Sequence, residues 1–97
     1  LKTYIEHVCV RTLTFIYQGS EPVGLCHARD LAFFTTSGSA IGRDNWGGEY
    51  LRAVTGKLLG IQNFHQISAE ALDLPETNVA QTLERAFRQA EALAETL

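Results

Sequence analysis

Cysteine, proline and tryptophan are scarce in this 97-residue chain, at two, two and one, and methionine is absent. Two cysteines, Cys9 and Cys26, make neither a disulfide framework nor a zinc site. Cys9 falls on the apolar side of a helical pattern and is expected in the core. Cys26 falls in a turn-like stretch and is expected to be semi-buried, and a reducing, cytoplasmic setting follows as the expectation. His7, His27 and His65 lie far apart with no carboxylate at ligand spacing, so no metal site is expected. No run approaches the roughly 18 consecutive apolar residues of a membrane-spanning helix. No charged leader with an apolar core and a cleavage site argues for secretion. Lys and Arg total 8 against 11 Asp and Glu, a net charge of −3, and they are scattered singly, which speaks against a nucleic-acid partner. Leu1 is not a methionine and enters a helical pattern with no start signal, which leads us to expect a further segment upstream.

What is present centres on Leu31-Ala32-Phe33-Phe34-Thr35-Thr36-Ser37-Gly38-Ser39-Ala40. An apolar run collapses into small hydroxylated residues and glycine. The run predicts a strand over 31–35 buried on both faces, as in a parallel sheet covered by helices. In open α/β sheets ligands sit beyond the carboxyl ends of strands. Thr36, Ser37, Gly38 and Ser39 occupy that position, and short hydroxyls with free backbone N–H groups suit close approach by a ligand. A turn that merely ends the strand is the plainer alternative.

Around that run, Leu1, Ile5, Val8 and Cys9 predict an amphipathic helix over about 1–12. Thr12 to Tyr17 reads as extended and Gln18 to Pro22 as a turn. Thr36 to Gly48 reads as a long glycine-rich loop, a length usually functional or disordered. Tyr50, Leu51, Val54, Leu58 and Leu59 mark a second helix stopped near Gly60. Phe64 to Ser68 reads as a short strand. From Pro75, with Pro75 and Glu76 in the first turn, Val79, Leu83, Ala86, Phe87, Ala90, Leu93 and Leu97 mark the cleanest helix. Strands alternating with helices imply a parallel α/β sheet. Two strands and three helices do not close such a core, so residues 1–97 read as one partial domain, half of a doubly wound sheet.

Other candidates carry bland alternatives. Phe15 and Tyr17 share one side of an extended segment, where core packing is the plain reading. Trp46 either stacks over an aromatic ligand or anchors its loop. Arg43 in the same loop is most simply solvated, as are Glu84, Arg85, Arg88 and Glu91 on the last helix. No Ser-His-Asp, paired-carboxylate or thiolate arrangement emerges, which fits chemistry carried by a cofactor.

Ordered segments resemble a known family. Leu1-Lys2-Thr3-Tyr4-Ile5-Glu6-His7-Val8, then Thr14-Phe15-Ile16-Tyr17, then Pro22-Val23-Gly24-Leu25, are similar to the middle of the FMN-dependent NADH-azoreductases and related NAD(P)H:quinone reductases. Tyr50-Leu51, Leu59-Gly60-Ile61 and Ala69-Glu70 continue the likeness downstream. The resemblance implies the C-terminal half of a flavodoxin-like homodimer. Its cofactor would be FMN, its electron donor NADH or NADPH, and its acceptors quinones or azo compounds, reduced in a ping-pong cycle. It implies that Thr36, Ser37, Gly38 and Ser39 occupy the place of a Ser-Arg-Gly-Gly stretch against the isoalloxazine ring, with Tyr17 near the substrate. The chain departs from that pattern at Ser37, where the family has Arg, and at Ser39, where it has Gly. A rival expectation is a non-catalytic flavodoxin-like fragment whose exposed apolar surface serves as an interaction or assembly module.

Overall fold

The computed structural model describes residues 1–97. Seven elements follow one another: α1 (Lys2–Val8), β1 (Phe15–Gln18), β2 (Glu21–Gly24), β3 (Asp30–Thr36), α2 (Trp46–Lys57), β4 (Asn63–Ala69) and α3 (Val79–Thr96). The chain is therefore mixed α/β, with three helices and two small sheets, β1–β2 and β3–β4. Four strands stand where two were expected. The chain divides into two compact units, Leu1–Leu31 with Gly47–Phe64, and Ala32–Trp46 with His65–Leu97.

In the first unit, α1 ends at Val8, short of the expected residue 12, because the segment after it satisfies its own backbone locally. The Thr14 hydroxyl donates to the Val8 carbonyl at 2.8 Å and accepts from the Val10 N–H at 2.9 Å. Such side-chain bonds compete with both helix and strand, so Thr12 to Thr14 form a turn despite their β-branched character. The extended piece begins only at Phe15 and becomes a hairpin. Phe15 pairs with Gly24, Ile16 with Val23, Tyr17 with Pro22 and Gln18 with Glu21, antiparallel. Gly19 and Ser20 alone make the turn, a pair suited to two-residue hairpins. Glu21 and Pro22, expected in the turn, instead start the return strand, where an edge position tolerates the missing proline N–H.

The core of this unit is Ile5, Phe15, Leu51, Leu59 and Ile61 around the buried Thr55. Thr55 is satisfied within its own helix, its hydroxyl donating to the Leu51 carbonyl at 2.8 Å. Helix α2 begins four residues before the expected Tyr50, so Trp46, Gly47 and Gly48 are helical and not loop. Gly48 is buried there. After Lys57 the chain turns at Gly60, and the Ile61 N–H returns to the Thr55 carbonyl at 2.9 Å. Cys9, expected in the core, is half-exposed, as is Cys26; both are free thiols.

β3 and β4 pair as the second sheet. Their leading ends meet through Asn63 N–H to Arg29 O at 3.4 Å, and beyond their trailing ends Ser37 N–H donates to Ala69 O at 2.9 Å. Starts meet starts and ends meet ends, so the strands run parallel, as the apolar run implied. β3 is not buried on both faces. Leu31, Phe33 and Thr35 are half-buried, whereas Ala32, Phe34 and Thr36 are exposed.

In the second unit α3 starts at Val79, not in a turn opened by Pro75. Asn78 is its N-cap, the side chain accepting from the Gln81 N–H at 3.1 Å, and Pro75 and Glu76 lie in the preceding turn. Its stripe is only partly covered: Leu83, Ala86, Ala90 and Leu93 are half-buried, while Val79, Phe87 and Leu97 are exposed. On the solvent side Arg88 pairs with Glu84 at 3.2 Å, one turn apart, a contact of small energetic worth. No helix is long and apolar enough to cross a membrane.

Candidate functional site

The residues after β3 are held by one short segment of the same unit. Ser37, Gly38 and Ser39 turn their carbonyls toward residues 71–73. Ala71 N–H donates to Ser39 O at 3.1 Å, Leu72 N–H to Ser37 O at 3.1 Å and Asp73 N–H to Gly38 O at 3.0 Å. The Ser37 hydroxyl donates to the Ser39 carbonyl at 2.6 Å. With every carbonyl of the loop engaged, the N–H groups of Gly38 and Ser39 donate to no protein group. The loop therefore presents two donors, the N–H groups of Gly38 and Ser39, at the carboxyl end of a parallel strand, whereas Thr36 closes β3 and the Ser37 N–H is taken by Ala69 O.

Two features of this clip were not legible in the sequence. Ala71 adopts φ +58, the left-handed region, at a cost of order 1 kcal/mol for a residue with a Cβ. Its three-bond neighbourhood holds it there. Asp73 places its carboxylate in the space that a Cβ on residue 38 would fill, with Oδ2 against Gly38 and Cγ 2.8 Å from that position. Gly38 and Asp73 are 35 positions apart, so no local pattern announces the contact.

The far end of the loop is tied to β4. Asn45 and Gln66 exchange two amide hydrogen bonds of 2.9 Å, and Gln66 also donates to the Ser68 hydroxyl at 3.1 Å. A glutamine in the middle of a strand was the available signal. Trp46 follows directly at the head of α2, with its side chain 75% exposed.

Beside the loop, a groove of about 230 Å³ runs between β3, β4 and α3. Phe34, Thr36, Ile67, Leu83 and Phe87 line it, and Phe34 and Phe87 are 59% and 61% exposed. Tyr17 belongs to the first unit. It packs edge-on to Phe15, ring centroids 5.6 Å apart, and lies under the Arg11 guanidinium at 5.7 Å. Phe15 is buried and Tyr17 is 48% exposed, so the two aromatics that share a side divide the roles weighed for them. Phe15 packs, and the Tyr17 ring stays accessible.

The described geometry is thus two backbone donors, the N–H groups of Gly38 and Ser39, just beyond the end of β3 in a mixed α/β chain. The chain is similar in sequence to proteins named FMN-dependent NADH:quinone oxidoreductase. It is 34% identical to FMN-dependent NADH:quinone oxidoreductase 2 of Clostridium acetobutylicum over 99 residues, covering 93% of this chain and 49% of that protein. It is 34% identical over 98 residues to the FMN-dependent NADH:quinone oxidoreductase of Clostridium perfringens, covering 97% and 48%. The enzyme of the same name from Caldicellulosiruptor saccharolyticus is 26% identical over 99 residues. The chain thus spans about half the length of the curated relatives it matches. No protein-family model matches it.

Proposed function

We propose that residues 1–97 form the C-terminal half of a flavodoxin-like, doubly wound domain of an FMN-dependent oxidoreductase. That protein would be a cytoplasmic homodimer passing two electrons from NADH or NADPH to quinones or azo compounds in a ping-pong cycle. The observation that carries the reading is the clip between residues 37–39 and 71–73, which consumes the carbonyls of the loop while the N–H groups of Gly38 and Ser39 meet no protein acceptor.

The donor set fits the group. The pyrimidine end of a flavin carries two carbonyls and ring nitrogens, and the N–H groups of Gly38 and Ser39 are matched donors, with the Thr36 and Ser39 hydroxyls beside them. FMN, when bound, supplies hydride chemistry, accepting from the nicotinamide and delivering to the acceptor. The protein then has to position and polarise. Fixed N–H dipoles need no reorganisation as charge develops on groups facing them. Ser37, without the family's Arg, contributes only a hydroxyl that its neighbour Ser39 already occupies, so backbone donors dominate the electrostatics. Tyr17 in the first unit keeps an accessible ring, as does Trp46 in the second, and we assign each of them separately to contact with a flat aromatic compound.

The test is an amide-resolved NMR titration of the chain with FMN. The signals of Gly38 and Ser39 are expected to move at millimolar FMN while those of α1 do not. Unmoved loop amides, or changes only elsewhere, refute the assignment. The exposed Phe34 and Phe87 support a second reading, an interaction module whose groove is covered by protein. A concentration-dependent mass in sedimentation that FMN leaves unchanged, with loop amides still unmoved, favours it.

A further inference from the structure

Asp73 is not used by anything described above. Its carboxylate lies against Gly38 between the loop and the clip segment, without a hydrogen-bond or ion-pair partner in the protein, and its side chain is exposed. Its own N–H is committed to the Gly38 carbonyl at 3.0 Å, which fixes where the side chain starts. A carboxylate is a hydrogen-bond acceptor, and the neighbouring N–H groups of Gly38 and Ser39 are donors. One small patch of backbone therefore offers donors and one strong acceptor side by side.

We propose that Asp73 is a specificity residue, accepting the N–H of a cyclic imide whose flanking carbonyls take the loop N–H groups. The ligand class is a planar ring with a carbonyl, N–H, carbonyl edge, the edge that an isoalloxazine or a uracil-like base presents. This deepens the flavin reading and rests on it. A bare donor loop accepts any carbonyl, whereas a carboxylate beside it rewards the imide N–H and rejects a ring lacking that proton, whose place it would leave as an unpaired charge. A hydrogen bond to a charged group is stronger than one between neutral groups, so discrimination of about tenfold is expected.

The experiment uses lumiflavin and N3-methyl-lumiflavin, which differ only at the imide nitrogen, titrated into the chain and into Asp73→Ala with binding read from amide shifts. The wild-type chain is expected to bind lumiflavin at least tenfold more tightly than the methylated ring. Asp73→Ala should bind both alike, at the weaker affinity, with the Gly38 and Ser39 amides still shifting. The backbone bond from residue 73 to Gly38 survives the substitution, and its unchanged amide signal checks this. Equal affinities in the wild-type chain with loop amides shifting overturn the role of Asp73 and leave the loop reading standing. Unshifted loop amides with both rings overturn the loop reading and the proposal with it.

Discussion

Two glycine-to-alanine substitutions present nearly the same steric insult and are expected to have opposite outcomes. At Gly24 an added Cβ would collide with the backbone of Leu59 and Gly60; at Gly38 it would collide with the end of the Asp73 side chain. Backbone cannot rotate away. Cys26 N–H already bonds Leu59 O at 3.3 Å, so relief at Gly24 requires the hairpin and the 59–60 turn to separate. Overpacking of that kind typically costs about 1–3 kcal/mol, so about 2 kcal/mol is expected. For a domain of this size about 1 kcal/mol moves Tm by roughly 4–8 °C, so Gly24→Ala should lower Tm by about 10 °C.

At Gly38 the obstacle is a partnerless carboxylate on a two-bond tether. Turning it aside costs on the order of 1 kcal/mol in rotamer strain. Replacing glycine where φ is ordinary, as it is at position 38, returns about 0.4–1 kcal/mol by restricting the unfolded chain. The terms nearly cancel, and Gly38→Ala should leave Tm within about 4 °C of wild type. It should also erase the preference for lumiflavin over its methylated analogue, because the acceptor has moved. Thermal unfolding followed by circular dichroism reads both variants. A loss at Gly38 as large as at Gly24 would refute the reasoning, since the carboxylate would then be a fixed part of the packing and not a movable group.

Ala71→Gly relieves a left-handed residue and should raise stability by up to about 1 kcal/mol; a drop in Tm would show that the Ala71 methyl packs usefully. Asn78→Ala removes the N-cap of α3 and should cost about 1 kcal/mol, read as a lower urea midpoint; an unchanged midpoint would mean that α3 is not part of the cooperative unit. Burial first, and the charge of Cys26 second, hold the Cys9 thiol above its ordinary pKa. The folded state therefore keeps the proton longer than the unfolded chain. The resulting stability is fully present below the unfolded value near 8.5 and is lost as pH rises through the folded one. The difference in urea stability between wild type and Cys9→Ser should shrink above about pH 8.5, and a flat difference would contradict it. Phe87→Gln removes an exposed ring from the groove and should reduce self-association in sedimentation without lowering Tm; unchanged association would place the contact elsewhere.

How much of this was legible depended on the range over which each feature is decided. The apolar run at Leu31 to Phe34 identified β3, and heptad-like spacing identified α3, because each pattern is complete within its own segment. The hairpin was missed because Glu21-Pro22 has turn composition. Its strand character comes only from pairing with Gln18 and Tyr17, a contact that local propensity does not register. Thr12 to Thr14 failed in the opposite sense, strand-like residues bent by the Thr14 hydroxyl bridging Val8 and Val10. Trp46 to Gly48 looked like loop because two glycines disfavour a helix, yet all three are helical and Gly48 is buried in the first turn of α2, a tertiary outcome that local propensity does not register. The loop at Thr36 to Ser39 was visible as composition; the carbonyl clip and Asp73 were not, because residues 71–73 reach it only through the fold.

The clip also shows how a loop with serine at position 37 could serve the proposed ligand role through its backbone. A side-chain cation contributes to a site only while that residue is present, and at position 37 the chain has serine. Backbone N–H groups are available at any sequence, provided that the carbonyls on the same peptides are satisfied elsewhere. Residues 71–73 do this for Ser37, Gly38 and Ser39 with bonds of 3.0–3.1 Å. With serine at position 37 the donor array stands without a side-chain cation at that position. The Asp73 carboxylate then favours a ligand that donates a hydrogen bond to the site over one that brings negative charge into it. Under the proposed reading, a ring whose N–H meets Asp73 and whose carbonyls meet the loop satisfies both demands.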